Sequence, residues 1–186
     1  MTTVAEPTSA GTASTLRRLY LTRFGFALVW AGALFVTGHQ LGPLSATLLV
    51  LYPLFDVASV LYDARSSRAT GSAVGLYLNA GISLLAGIAL TLAVTSGIPA
   101  VLRAWGIWAV LSGLIQLAVG IRRRGLGGQW PMIVSGAIST FAGTSFFLQA
   151  SMQSASLSTV AGYALFGGIF FLISAVRLGR ATVKNQ

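Results

Sequence analysis

The sequence predicts an all-α integral membrane protein whose six transmembrane helices form three tandem helical hairpins, with both termini in the cytoplasm. The composition is the first observation behind this prediction: 55% of the 186 residues are hydrophobic and only 8% are charged, whereas a soluble domain carries about 25% charged residues. Six long apolar runs are the second observation, and a repeat with a period near 55 residues is the third. This length leaves no room for a separate soluble catalytic domain of ordinary size.

The N-terminal segment 1–16 consists mainly of small and polar residues without an aromatic side chain, which predicts a disordered tail. Arg17, Arg18 and Arg23 follow this tail instead of opening the chain. The first apolar run therefore does not have the arrangement of a signal peptide, and we expect it to remain as the first membrane helix. The membrane domain is expected over 17–180 and a C-terminal tail over 181–186.

The six apolar runs approach the length of roughly 20 residues that a helix needs to span a bilayer. In chain order they cover about 20–38, 42–62, 72–94, 100–121, 131–149 and 158–176. The joints between them carry turn-forming or charged residues. Backbone groups in hydrocarbon must be hydrogen-bonded internally, and no run alternates polar and apolar residues as a barrel strand does. The runs are therefore predicted to be helices.

The distribution of Lys and Arg predicts the orientation of these helices. Eleven of the twelve basic residues fall before the first helix, in the second and fourth loops, or after the sixth helix. They are Arg17, Arg18, Arg23, Arg65, Arg68, Arg122, Arg123, Arg124, Arg177, Arg180 and Lys184. Arg103 alone falls on the opposite side. The positive-inside rule then places both termini in the cytoplasm.

The apolar runs also pair off as three related hairpins. The odd helices share a small core, namely Trp30-Ala-Gly-Ala, Leu85-Ala-Gly-Ile and Phe141-Ala-Gly-Thr. In the even helices, Asp56, Gly113 and Gly168 each precede an Arg by nine residues, and the offsets between copies are 55 to 57 residues. This period predicts a duplicated helical hairpin. Every copy enters and leaves on the same side, so the repeat is parallel and not inverted.

These hairpins resemble the HdeD-like short-repeat membrane proteins (domain of unknown function 308). The residues that carry the likeness are Ala104-Trp-Gly-Ile-Trp-Ala-Val, Ser112-Gly-Leu-Ile-Gln, Arg122-Arg-Arg, Gly128-Gln-Trp-Pro-Met, Ser135-Gly-Ala-Ile-Ser and Gly167-Gly-Ile-Phe-Phe-Leu-Ile-Ser. The resemblance covers about 20–180 and implies a multi-pass protein of the bacterial inner membrane, with a link to acid resistance. It implies no catalytic residues. The stretch Tyr52-Pro-Leu-Phe-Asp departs from the other two copies.

Asp56 is the one acidic residue within an apolar run, and a charged Asp near a helix centre costs about 2.5–3.5 kcal/mol on insertion scales. Tyr52 and Ser59 share its helix face by their spacing, while Asn79 and Gln116 lie at comparable depth in other helices. We expect these five residues to form a buried polar site, with Ser139 as a further candidate. Two interpretations stay open: Asp56 carries a proton or coordinates a cation, or it fixes helix register.

Several function classes are excluded or disfavoured by the sequence. The chain has no Cys and one His, which removes thiolate metal sites and thiol catalysis. We find no Walker loop, no Ser-His-Asp set and no paired carboxylates, and we expect no enzyme and no cofactor. The net charge of +9 comes from short clusters between apolar runs, which does not indicate a nucleic-acid partner.

The function predicted from these observations is that of a non-enzymatic inner-membrane protein of HdeD-like type, related to stress or acid resistance through membrane packing or partners. The alternative is a small proton or cation channel or transporter that uses Asp56 as its titrating group. The lipid bilayer is the expected partner, with anionic lipids near Arg122, Arg123 and Arg124. A homo-oligomer is left open.

Overall fold

The computed structural model describes residues 9–66, 73–122 and 130–184. Across these residues the chain forms six α-helices. They are α1 (Ser9–Thr37), α2 (Pro43–Ser66), α3 (Ala73–Ala93), α4 (Ile98–Arg122), α5 (Trp130–Gln149) and α6 (Ser158–Lys184). A single 3₁₀ turn, Val94–Ser96, connects α3 to the turn at Gly97, whose φ of 93° suits glycine. The prediction of an all-helical chain with six long helices is confirmed.

Five helices contain stretches long and apolar enough to cross a membrane, judged by length and composition. These stretches are Arg17–Thr37, Pro43–Tyr62, Val74–Ser96, Ile98–Arg122 and Ser158–Arg177. Helix α5 has a shorter apolar stretch, Ile133–Gln149. Large apolar side chains such as Val29, Val74 and Phe141 point outward, and Phe141 is 80% exposed. A surface of this kind suits lipid rather than water, so the chain is a multi-pass membrane protein.

The first and last helices are longer than the sequence predicts. Helix α1 begins at Ser9, inside the predicted disordered tail 1–16, and α6 continues to Lys184, inside the predicted tail 181–186. Residues 1–8 and 185–186 lie outside the described residues. Adding residues to an existing helix avoids the cost of nucleation, which allows α1 to extend into this segment.

The helices form a closed ring in which α1 also contacts α6. The closest pairs are α4 with α5, α1 with α6, and α2 with α3. The partners within each predicted hairpin, α1 with α2, α3 with α4 and α5 with α6, pack less closely. The tight interfaces therefore lie between repeat units and not inside them, with the first unit meeting the third through α1 and α6, which the hairpin prediction does not anticipate.

The α4/α5 interface shows why one of these pairs is so close. A Cβ built on Gly113 would lie 2.7 Å from the Gly136 carbonyl oxygen, and one on Gly106 would lie 2.6 Å from that of Gly143. Gly113 thus faces the start of α5 and Gly106 faces its middle, so the two helices run antiparallel. Glycines allow this approach because a side chain on either helix would hold the backbones apart.

The two ends of the bundle differ in packing. The terminal end is the one where Arg17 of α1 lies beside Gly179 of α6, and the opposite end is the one where Gly38 lies beside Leu157. Fully buried residues fill the bundle toward the opposite end, where α1 ends and α2 and α6 begin. They are Leu34, Leu49, Leu90, Val101, Leu102, Leu157 and Val160. The polar residues described next lie between this apolar core and the terminal end.

Candidate functional site

Asp56 is the centre of a hydrogen-bonded polar cluster made of Arg23, Asp56, Asn79, Ser83 and Trp108. The Arg23 guanidinium donates from Nη2 to Asp56 Oδ1 over 3.0 Å. The other carboxylate oxygen, Oδ2, accepts from Asn79 Nδ2 at 3.0 Å and from Ser83 Oγ at 2.8 Å. Trp108 Nε1 in turn donates to Ser83 Oγ at 3.1 Å. The Asp56 carboxylate thus joins α2 to α1 and α3, and the Ser83 hydroxyl extends the cluster to α4.

The charge at this site is compensated within the bundle. Arg23 and Asp56 form an ion pair whose side chains are only 14% and 21% exposed. A lone carboxylate at this depth would be costly, but a partner of opposite sign and hydrogen bonds to both oxygens offset much of that cost. Asn79 and Ser83 supply two of these bonds because they lie one turn apart on the same face of α3.

A cavity of about 100 Å³ adjoins the polar cluster. Its lining mixes polar groups with aromatic rings and comes from all six helices. The lining residues are Arg23, Tyr52, Asp56, Asn79, Trp108, Ala109, Ser112, Gln116, Ser135, Ile138, Ser139, Tyr163, Gly167, Phe170 and Phe171. Because several polar groups converge here in a mostly apolar bundle, this cavity and the polar cluster are the candidate functional site.

Four rings form an aromatic cluster, namely Trp30, Tyr52, Trp105 and Trp108, beside the cavity. The Tyr52 ring centre lies 4.6 Å from that of Trp30 and 5.5 Å from that of Trp105. Trp105 also packs edge-on against Trp108 at 4.8 Å. Trp30 is anchored by a hydrogen bond from Nε1 to the Leu48 carbonyl oxygen at 2.6 Å. Trp30, Trp105 and Trp108 belong to the apolar core and Tyr52 packs against it, while Tyr52 and Trp108 also line the cavity.

Two hydrogen bonds in the bundle occupy equivalent positions of the repeat. Trp108 Nε1 donates to Ser83 Oγ, and the Tyr163 hydroxyl donates to Ser139 Oγ at 2.8 Å. Ser83 and Ser139 are 56 residues apart, and Trp108 and Tyr163 are 55 apart, which are the offsets of the repeat. In both pairs an aromatic side chain of an even helix binds a serine of the preceding odd helix.

The structure places four of the five predicted site residues around one cavity. Asp56 and Asn79 are hydrogen-bonded to each other, and Tyr52 and Gln116 line the same cavity. Ser139, the further candidate, also lines it. Ser59 is buried on α2 but is not part of the lining. Although Ser59 lies only three residues from Asp56, its small side chain does not reach the cavity.

Arg23 has a different place from the one predicted. The charge count predicts that Arg23 flanks the first helix on the cytoplasmic side, whereas its side chain is only 14% exposed and binds Asp56 between the helices. The repeat contains a signal for this pair: the positions equivalent to Arg23 are Leu78 and Val134, while those equivalent to Asp56 are glycines. Both charges therefore occur only in the first copy, as expected when each requires the other.

Within the described parts of the chain, no group of three His, Cys, Asp or Glu residues comes together that could hold a metal ion. Of the predicted lipid-contacting arginines, Arg122 is exposed at the end of α4, and Arg123 and Arg124 lie outside the described residues.

The fold and site define the chain as a helical multi-pass membrane protein with a half-buried ion pair beside a polar cavity. Comparisons with models of known protein families, with curated proteins and with solved structures find no match. The resemblance to the HdeD-like proteins therefore rests on the sequence motifs alone.

Proposed function

We propose that this chain is a six-helix protein of the bacterial inner membrane, of HdeD-like type, that acts without catalysis through packing, lipids and partners, including in stress or acid resistance. The observation that carries this proposal is the closed apolar core toward the opposite end of the bundle. A conducting pathway needs a continuous polar file to both surfaces. The cavity beside Asp56 has the aromatic cluster and this core on one side of it, which favours a packed scaffold.

Both termini lie in the cytoplasm in this proposal. Ten basic residues remain on the terminal side once Arg23 is assigned to the ion pair, against Arg103 alone on the other. The terminal side then faces anionic lipid headgroups at Arg122, Arg123 and Arg124, each worth about 1 kcal/mol of attraction. Helix α5 spans with the others, because 20 residues extend roughly 30 Å, the thickness of the hydrocarbon core.

A reporter fused after Gln186 tests the orientation. One reporter that is active only in the cytoplasm and another that is active only outside it are fused to the same position. We expect activity only from the cytoplasmic reporter, because the charge difference between the two sides sets the orientation. Activity of the external reporter alone would overturn the assignment.

The second candidate function is a proton or cation pathway through the bundle, with Asp56 as its titrating group and Tyr52, Asn79 and Gln116 in its lining. The observation that favours it is an ionisable pair buried beside a polar cavity, because intramembrane carboxylates often mark ion or proton routes. Ser59 does not line the cavity and has no part in this version of the pathway.

Proton flux into liposomes separates the two candidates. Purified wild type, Asp56→Asn and the lipid-facing control Gly81→Ala are reconstituted with a trapped pH dye and a potassium-set membrane potential. The scaffold proposal expects all three to match protein-free vesicles. Flux that occurs in wild type and Gly81→Ala but is lost in Asp56→Asn would establish the pathway instead.

A further inference from the structure

The interface between α5 and α6 is the loosest between neighbours in the ring of helices. Helix α5 ends at the opposite end of the bundle and α6 begins there. Among the described residues, the hydrogen bonds and ring contacts between the two helices lie toward that end. They join Gln149 to Thr159, Phe146 to Tyr163 and Ser139 to Tyr163. The two helices are therefore joined toward the opposite end and not toward the terminal end.

The cavity reaches the outer surface of the bundle where these contacts stop. A Cβ built on Gly167 of α6 would meet nothing within 4 Å, although Gly167 lines the cavity; at the tight α4/α5 interface, a Cβ on Gly113 would meet backbone at 2.7 Å. Across from Gly167, Ile138 of α5 also lines the cavity and is 38% exposed. A residue that is both exposed and part of the cavity wall lies where the cavity opens. We call this opening, bordered by Ile138, Gly167 and Phe170, the α5/α6 portal.

The α5/α6 portal faces the hydrocarbon of the bilayer. Ile138 lies eight residues after the first residue of α5, which is about 12 Å along the helix, and it belongs to the apolar stretch Ile133–Gln149. Large apolar side chains are exposed on both helices around it, with Phe141 on α5 and Phe166 and Ile173 on α6. An apolar surface of this kind is stable against lipid. A molecule that enters the portal therefore comes from the bilayer.

The portal and the interior of the cavity differ in polarity, and this difference specifies the ligand. Ile138 and Phe170 border the portal, whereas Asp56, Asn79 and Ser139 line the interior. A molecule that fits both has an apolar chain and one polar head, because a polar head is stable in this bundle only beside hydrogen-bonding groups. A charged head would have to cross hydrocarbon, which is costly. The head is also small, since the cavity measures about 100 Å³ and an engineered cavity of about 150 Å³ holds one benzene molecule.

We propose that the α5/α6 portal admits a single-chain lipid with a small uncharged hydroxyl head, which binds with its head in the polar cavity and its chain between α5 and α6. A long-chain alcohol is the simplest molecule of this class. The site requires only that the chain lies in a membrane. It does not depend on which side the termini face or on whether the bundle conducts protons, so the reporter and flux experiments can fail without affecting it.

The test uses hexadecanol that carries a photoreactive diazirine beside its hydroxyl end. The full chain is reconstituted in liposomes with this probe and irradiated, and the labelled peptides are identified by mass spectrometry. Labelling is expected at 135–139 and 167–171, and it is expected to fall when unlabelled hexadecanol is added in excess but not when hexadecane is added. Labelling spread evenly over the lipid-facing helices, labelling that excess hexadecanol does not reduce, or equal competition by hexadecane overturns the proposal.

Two variants locate the binding at the portal. Gly167→Leu fills the open space beside the cavity and is expected to abolish the competable labelling. The matched control Gly81→Leu on α3, where an added side chain also meets nothing within 4 Å, is expected to keep it. If Gly167→Leu does not elute as a folded monodisperse species, Ile138→Trp covers the portal from its exposed side and is expected to have the same effect. Wild-type labelling in both portal variants, or equal loss in Gly81→Leu, contradicts the site.

Discussion

The glycine contacts between α4 and α5 leave no room for a side chain, so adding one methyl group at such a position is expected to lower the stability of the bundle. In Gly113→Ala, the new Cβ would lie 2.7 Å from both the Gly136 carbonyl oxygen and Thr140 Oγ1, and 2.8 Å from the Thr140 backbone nitrogen. Two of these three atoms belong to the backbone of α5, so no side-chain rotation relieves the contact. The helices must separate, and ordinary contact distances begin only at 3.4 Å.

The size of the effect follows from these distances. To reach 3.4 Å from 2.7 Å, the two backbones must move apart by 0.7 Å, which loosens the closest interface of the bundle. Overpacking of this kind costs about 1–3 kcal/mol, and Ala favours a helix over Gly by only about 0.8–1 kcal/mol. Gly113→Ala is therefore expected to lower the free energy of unfolding by up to about 2 kcal/mol.

The matched control is Gly81→Ala on α3, where an added Cβ meets nothing within 4 Å. Here only the helix propensity acts, so the free energy of unfolding is expected to stay equal or to rise by up to about 1 kcal/mol. Both variants are unfolded by detergent titration with helical circular dichroism as the readout. If Gly113→Ala and Gly81→Ala change the stability in the same direction by the same amount, the close helix contact is refuted.

Two further predictions concern the polar cluster. Asp56→Leu leaves the Arg23 charge without its partner and is expected to lower the free energy of unfolding by about 3–5 kcal/mol, whereas the double variant Arg23→Leu/Asp56→Leu loses much less. A double-mutant cycle of Arg23→Leu, Asp56→Leu and the double variant, measured by the same titration, checks this, and additive losses would contradict the pair. Ser83→Ala removes a hydroxyl that is hydrogen-bonded to both Asp56 and Trp108. It is expected to lower the free energy of unfolding by about 1–3 kcal/mol. The control Ser96→Ala, at an exposed position and measured in parallel, is expected to change that free energy by less than about 0.5 kcal/mol.

The threefold repeat shows which contacts in the interior of this bundle a sequence pattern can and cannot predict. The two aromatic–serine hydrogen bonds at Ser83 and Ser139 are separated by the offsets of the repeat, but the shared small residues do not predict these bonds. These patterns do not predict which pairs of helices pack most closely, because that depends on which helix faces meet. Each helix of the ring has two neighbours, and a periodic pattern of small residues suits either one.

The all-helical class, the six long helices and the polar character of the Asp56 region can be predicted from the amino-acid sequence alone. Hydrophobicity and length suffice for this, because a backbone in hydrocarbon must satisfy its hydrogen bonds within its own helix. The pairing of Arg23 with Asp56, and the position of Ser59 outside the cavity, become visible once the helices are packed. Arg23 and Asp56 are 33 residues apart, and such a contact depends on how α1 is rotated and how deep it sits. Those two quantities are set by packing against α2 and α6 and leave no local pattern in the chain.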